Sequence, residues 1–223
     1  MTTEPKKDDG HSYKWWVPIT FTEPGTKFDN TYSKFWIKPD DSDLRISGLP
    51  ASNIPAIFNV QETGFYRVNY DRKNWELIIN QLKADHTKIH VINRAQIIDD
   101  AFNLARAGYL EYELALGVTA YLNKETEYIP WKAALSGFSF VDNMLERSPA
   151  YGEFQRYMIH QVQPLFERIG FEQRGDTDSH MDILLRGLAV KWACKMGMTE
   201  CIEKAKSKFK EWMEETSPDN NNP

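Results

Sequence analysis

A small β-sandwich followed by an α-helical superhelix is the fold class this sequence predicts, and three observations carry it. Apolar residues alternate with a period of two through the first third of the 223 residues, and after Asp71 the period lengthens to about three and a half. Turn-forming clusters break the first part into short pieces, whereas no linker rich in Gly, Pro or Ser separates it from the second. A hydrophobic share of 41% with 26% charged residues is that of an ordinary globular chain, so both parts should build buried cores.

The polar opening, residues 1–12, holds no apolar run and is expected to be frayed. In "YKWWVPITF" Tyr13, Trp15, Val17, Ile19 and Phe21 share one parity, which predicts a half-buried strand with Pro18 at a sheet edge or bulge. Further strands are expected at Phe35 to Ile37, Leu44 to Ile46, Ala56 to Val60 and Gly64 to Asn69, giving a sandwich over 13–70. In the last of these, Phe65, Arg67 and Asn69 share one face, and Tyr66, Val68 and Tyr70 the other.

Asp71 is placed to cap the first helix, which carries Trp75, Ile78, Ile79 and Leu82. A second helix carries Ala95, Ile98, Ala101, Phe102 and Ala105 and stops at Gly108. More helices are expected at Tyr112 to Leu122, Trp131 to Arg147, Tyr151 to Ile169, Met181 to Met196 and Thr199 to Glu214, the last capped by Thr199. Serial pairs of antiparallel helices over 71–215 predict a superhelix of the HEAT or armadillo kind, and 216–223 are expected to fray.

A net charge of −5 offers no sequence-wide attraction to nucleic acid. The lysines between Glu203 and Glu215 alternate with glutamates like the wet face of a helix. No window approaches the roughly 20 apolar residues of a membrane span, and no apolar signal segment opens the chain.

No catalytic or metal-binding residue is nominated. His86 and His90 have i,i+4 spacing but no third ligand beside them, and H-E-x-x-H, G-x-S-x-G and phosphate-binding glycine motifs are all missing from the sequence. Asp99 and Asp100 point about 100° apart on a helix, which disfavours a shared proton. One is expected to be solvated and the other paired with an arginine such as Arg94 or Arg106. Cys194 and Cys201 flank Gly197 in "ACKMGMTEC", where a tight helical hairpin can bring their Cα atoms within the ~4.4–6.8 Å of a disulfide. Two reduced, buried thiols are the alternative.

The blocks "WWVPITF", "FNVQETGFYRVNYDRKNW", "RAQIIDDAFNLARAGYLEYELAL", "YLNKETEYIPWKAAL" and "ACKMGMTECIEKAKSKFKEWME" resemble, in this order, the C-terminal half of the M1 family of zinc aminopeptidases, the animal aminopeptidase N type above all. The resemblance implies that 13–70 is the family's β-sandwich and 71–215 the first part of its helical domain. It implies that Cys194 and Cys201 form the family's hairpin disulfide, and that Asp142 and Asn143 face the substrate chamber. Arg67, with Tyr66, Tyr70 and Asp71 around it, is expected to hold the domain joint together.

The family's zinc ligands and amine-gripping G-x-M-E-N segment have no counterpart in these 223 residues. The chain therefore reads as a truncated portion, predicted inactive alone and without a cofactor, the zinc belonging to the full-length enzyme. Its implied partners are the zinc-binding domain of the same polypeptide and, in the full enzyme, a peptide substrate. Self-association through an exposed superhelix face is left open. The resemblance implies an ectoenzyme or a secretory-lumen location, although the chain shows no signal or anchor. A freestanding helical module that binds a protein partner is the competing reading.

Overall fold

Four short strands, seven α-helices and four three-residue 3-10 turns make up the regular structure of residues 13–215, the part of the chain that the computed structural model describes. Expectations for 1–12 and 216–223 fall outside the described residues. The chain divides into two compact units, Met1–Ala120 and Tyr121–Pro223.

In the first unit, β1 (Val17–Ile19) pairs antiparallel with β3 (Phe35–Ile37), with Pro18 opposite Trp36. Strand β2 (Phe21–Thr22) pairs antiparallel with β4 (Ile57–Phe58). Two two-stranded sheets thus stand where a larger β part was expected. In two-stranded sheets every strand is an edge, so Pro18 is tolerated, as its missing N–H suggests. Tyr13 and Trp15 share the parity of β1 but lie outside its ladder and are exposed. Leu44 to Ile46 and Gly64 to Asn69 are irregular rather than strands.

The second of these departures has a visible cause. Asn59, Gln61 and Glu62 all take positive φ (59°, 52° and 53°), which turns the chain out of β4. The Asn59 side chain then holds Gly64 at both ends, accepting from its N–H and donating to its carbonyl at 2.8 Å each. The following residues run extended, but their partners are mostly side chains instead of a neighbouring strand.

The same unit contains α1 (Arg72–Asp85), α2 (Val91–Arg106) and α3 (Tyr112–Gly117). Trp75, Ile78 and Leu82 of α1 and Ile97, Ile98 and Ala101 of α2 are buried, as the period near three and a half requires. Truncating a side chain as enclosed as Trp75 costs about 3–5 kcal/mol. Helix α2 stops at Gly108, whose φ of 77° suits a residue without Cβ. Helix α3 ends five residues earlier than its periodicity suggests. A Cβ on Gly117 would lie 2.8 Å from Cδ1 of Ile79, so the glycine permits a close approach to α1. Beyond it the Thr119 hydroxyl donates back to the carbonyl of Leu116 at 2.7 Å, closing a turn.

The second unit contains α4 (Tyr128–Leu145), α5 (Tyr151–Ile169), α6 (His180–Lys195) and α7 (Thr199–Glu214). Trp131, Leu135 and Phe138 of α4 and Phe154, Met158 and Leu165 of α5 supply its core. The buried carboxylate of Glu125 organises the entry to α4: it accepts from the N–H of Thr126 and Glu127 and from the Tyr121 hydroxyl. Ser179 and Asp182 form a capping box at the start of α6. Met198, not Thr199, is the N-cap of α7, because Gly197 at φ 93° turns the chain so tightly that Thr199 is already helical.

Candidate functional site

The segment from Gly64 to Asp71 is a polar junction of the first unit. Its alternation sorts partners by parity. Tyr66 donates its hydroxyl to the carbonyl of Pro18 at 2.7 Å, and the Tyr70 hydroxyl accepts the N–H of Phe58 at 3.1 Å. Both therefore face the strands. Residues of the other parity face helices: Arg67 pairs with Asp99 and with Asp100 (3.2 Å), and Asn69 accepts from the Trp75 indole at 3.0 Å. Phe65 breaks the rule and stands wholly clear of the surface, at 110% relative exposure.

Burial separates the two adjacent aspartates. Asp99 is half-exposed on the Arg67 guanidinium, whereas Asp100 is buried and also accepts the N–H of Val68 at 3.0 Å. Sequence spacing pointed to Arg94 or Arg106 as the cation; Arg67, 32 residues before Asp99, meets both carboxylates. Burial pushes the Asp100 carboxyl up to about 6, against the opposing pull of the Val68 N–H and Arg67. The Tyr66 hydroxyl is pushed up to about 12, first by burial and then by Asp100. Asp71 accepts from the N–H of Asn74 at 2.9 Å and so caps α1. The Asn74 amide in turn clasps Ala56, accepting its N–H and donating to its carbonyl at 2.9 Å each, in the manner of a neighbouring strand.

His90 uses Nδ1 to accept from the N–H of Ile92 and caps α2. Among the described residues no group of three His, Cys, Asp or Glu is arranged to hold a metal ion. No helix among them is long and apolar enough to cross a membrane.

In the second unit Asp142 and Asn143, adjacent on α4, have different surroundings. Asp142 is buried, ion-paired with Lys195 and accepting the Tyr151 hydroxyl at 3.0 Å; Asn143 is exposed. Sequence reasoning could not see the Lys195 pairing, which joins residues 53 apart. It also missed Arg186. That buried guanidinium donates to the carbonyl of Ile169 (3.0 Å) and to Asp178 (2.7 Å), and Asp178 also accepts from Arg174. The Arg186 bond, then the Arg174 N–H, hold the Asp178 carboxyl down at about 2. Cys194 and Cys201 are joined in a disulfide across the α6–α7 turn, their Cα atoms 5.1 Å apart.

Comparison with known proteins gives this arrangement a family. Residues 56–222 match the model of the ERAP1-like C-terminal domain. Human aminopeptidase N is 41% identical over 215 residues, which cover 94% of this chain and 21% of the relative. Glutamyl aminopeptidase of Bitis rhinoceros is 38% identical over 217 residues, covering 97% and 22% respectively. Chicken aminopeptidase Ey is 37% identical over 218 residues, covering 95% and 21%. The chain thus spans about a fifth of the length of the curated relatives it matches. It belongs to the ERAP1-like C-terminal domain family and corresponds to a C-terminal portion of an M1 aminopeptidase.

Proposed function

We propose that this chain is the non-catalytic C-terminal portion of a zinc-dependent aminopeptidase, serving as cover of the substrate chamber and as interdomain contact. In this reading 13–70 is the family's β-sandwich and 71–215 the beginning of its helical superhelix. The observation that carries it is the match over nearly the whole chain to about a fifth of enzymes named aminopeptidases. A surface feature supports it. The face of the β1–β3 sheet opposite Val17 and Ile19 carries Pro18 and Trp36 (46% exposed), with Trp16 (56%) beside them, an apolar surface suited to a further domain of the same polypeptide.

The zinc and the groups that grip a peptide amine belong, in this reading, to that further domain. A zinc ion held there would supply the Lewis acid for attack of water on the scissile carbonyl. Of the two residues assigned to the chamber wall, Asn143 is the one free to meet a peptide, because the Asp142 carboxylate is engaged by Lys195 and Tyr151. The disulfide fits an oxidising location, extracellular or in the secretory lumen.

The test is hydrolysis of an aminoacyl chromogenic substrate by the chain with added zinc, with and without chelator. No turnover is expected, and turnover abolished by chelation would overturn the proposal. A zinc-domain portion of an aminopeptidase N added in trans should bind the chain, and W16K/W36K should abolish that binding. The competing reading, a freestanding binding module, predicts that this binding is missing from the start.

A further inference from the structure

We infer that Phe65 is the anchor of the interdomain contact, entering an apolar socket with a basic rim on the zinc-binding domain of the same polypeptide. This rests on the reading of the chain as a portion of a larger aminopeptidase, and adds to it a residue and the chemistry of its receptor. The backbone around Phe65 is built for presentation. The N–H of Tyr66 donates to the carbonyl of Gly64 at 3.0 Å, closing a three-residue turn with Phe65 at its apex. Both flanks are fixed. Asn59 accepts the N–H of Gly64 and donates to its carbonyl, while beyond the turn the Tyr66 hydroxyl is bound to Pro18 and Arg67 to the two aspartates of α2. A Cβ on Gly64 would lie 2.3 Å from Cε1 of Tyr66, so the glycine lets the Tyr66 ring fold back towards β1. Phe65, between these two residues, is left at 110% relative exposure and adds nothing to the core of its own unit. An aromatic ring has few rotamers to lose, and one carried on a fixed turn docks at a low entropic cost, which is the character of an interface anchor.

Place and charge select the occupant. Through Tyr66 the turn is fastened to Pro18, which lies on the sheet face that also carries Trp36. Phe65 thus adjoins the strands whose outer surface is assigned above to the further domain. The surrounding charges describe the rim of the socket. Glu62 lies near enough to Asp99 and Arg67 for both charges to act on its carboxyl. Arg67 is therefore outnumbered by Glu62, Asp99 and Asp100. Further along, Arg72 meets three glutamates, and Lys73 is the one other cation of the segment 62–73. A receptor with lysine or arginine around an apolar pocket complements such a neighbourhood, whereas an acidic one is repelled.

The test titrates the chain with the zinc-loaded zinc-domain portion of human aminopeptidase N in a calorimeter. F65S should raise the dissociation constant at least about tenfold and leave the thermal midpoint of the chain unmoved, because the ring packs on nothing that unfolding would release. E62Q should weaken binding at low salt and make it less sensitive to added salt. No binding by the unaltered chain overturns the proposed function, and this inference with it. Binding that W16K/W36K abolishes but F65S leaves unchanged overturns the anchor alone and leaves that function standing. A loss of binding in F65S accompanied by a lowered thermal midpoint assigns Phe65 to the fold and also overturns the anchor. Tighter binding by E62Q overturns the basic rim. Sedimentation of the chain alone supplies the last control: self-association that F65S removes would put a second copy in the place of the zinc domain and overturn the inference.

Discussion

Val68 donates its backbone N–H to the buried carboxylate of Asp100 at 3.0 Å, so a side chain of α2 takes the place that a neighbouring strand would fill. The bond holds an aspartate whose carboxyl is raised to about 6 by burial. Because the folded value lies above the unfolded one of about 3.9, the folded state binds the extra proton between the two. The group's favourable contribution is therefore full below about pH 4 and is lost as pH rises through about 6. Urea unfolding at a series of pH values should show stability falling by at most about 3 kcal/mol across that window. D100N should remove this slope; an unchanged slope in D100N would assign it to another group.

Asp178 works in the opposite direction. Its carboxyl is held down at about 2 by Arg186 and the Arg174 N–H, so its contribution is present above about pH 4 and disappears as pH falls through 2. D178N should flatten the acid limb of the stability profile below pH 4 while leaving the D100N window intact. R186M should lower the thermal midpoint and shift the acid limb upward, because Asp178 then keeps only Arg174 and the Ile169 carbonyl loses its donor.

The hairpin disulfide closes a short loop, with a sequence separation of 7. Chain-entropy reasoning gives it about 2–2.5 kcal/mol. C194S/C201S should lower the unfolding free energy by about that amount while α6 and α7 persist in circular dichroism. Thiol counting on the denatured, unreduced chain should find none.

Asn59 carries two duties that substitutions can separate. Its φ of 59° disfavours most side chains, and its amide satisfies both the N–H and the carbonyl of Gly64. N59A should lose about 2 kcal/mol or more, because both buried groups are left without a partner and the backbone stays strained. N59G should be less damaging by about 1 kcal/mol, recovering the backbone term alone. Equal losses in chemical denaturation would show that the left-handed geometry carries no cost here.

The helices were legible because their signal is local and repeated. Ala95, Ile98, Ala101, Phe102 and Ala105 outline the buried side of α2 within eleven positions, and the ends of α5 and α7 coincide with those expected. Strands of two or three residues cannot display a period, so Tyr13 and Trp15 looked like β1 although no partner strand reaches them. From Gly64 to Asn69 the alternation is real, but it sorts residues between strands and helices instead of between two faces of a sheet. The polar pairs were the least visible. Arg67 stands 33 residues from Asp100, and Asp142 stands 53 from Lys195, and no local pattern announces a partner at such distances.

The clasp of Asn74 on Ala56, and the N–H bonds that Asn93 accepts from Gln61 and Asp100 from Val68, also set an order of events during synthesis. The strands are translated first, yet the groups that complete their hydrogen bonding come from α1 and α2. Ala56, Gln61 and Val68 therefore lack these partners until residues 74 to 100 have been made, a few seconds at about 5–20 residues per second. Strands of only two or three residues, with Pro18 in β1, suit that interval, presenting little ladder for a wrong partner to extend.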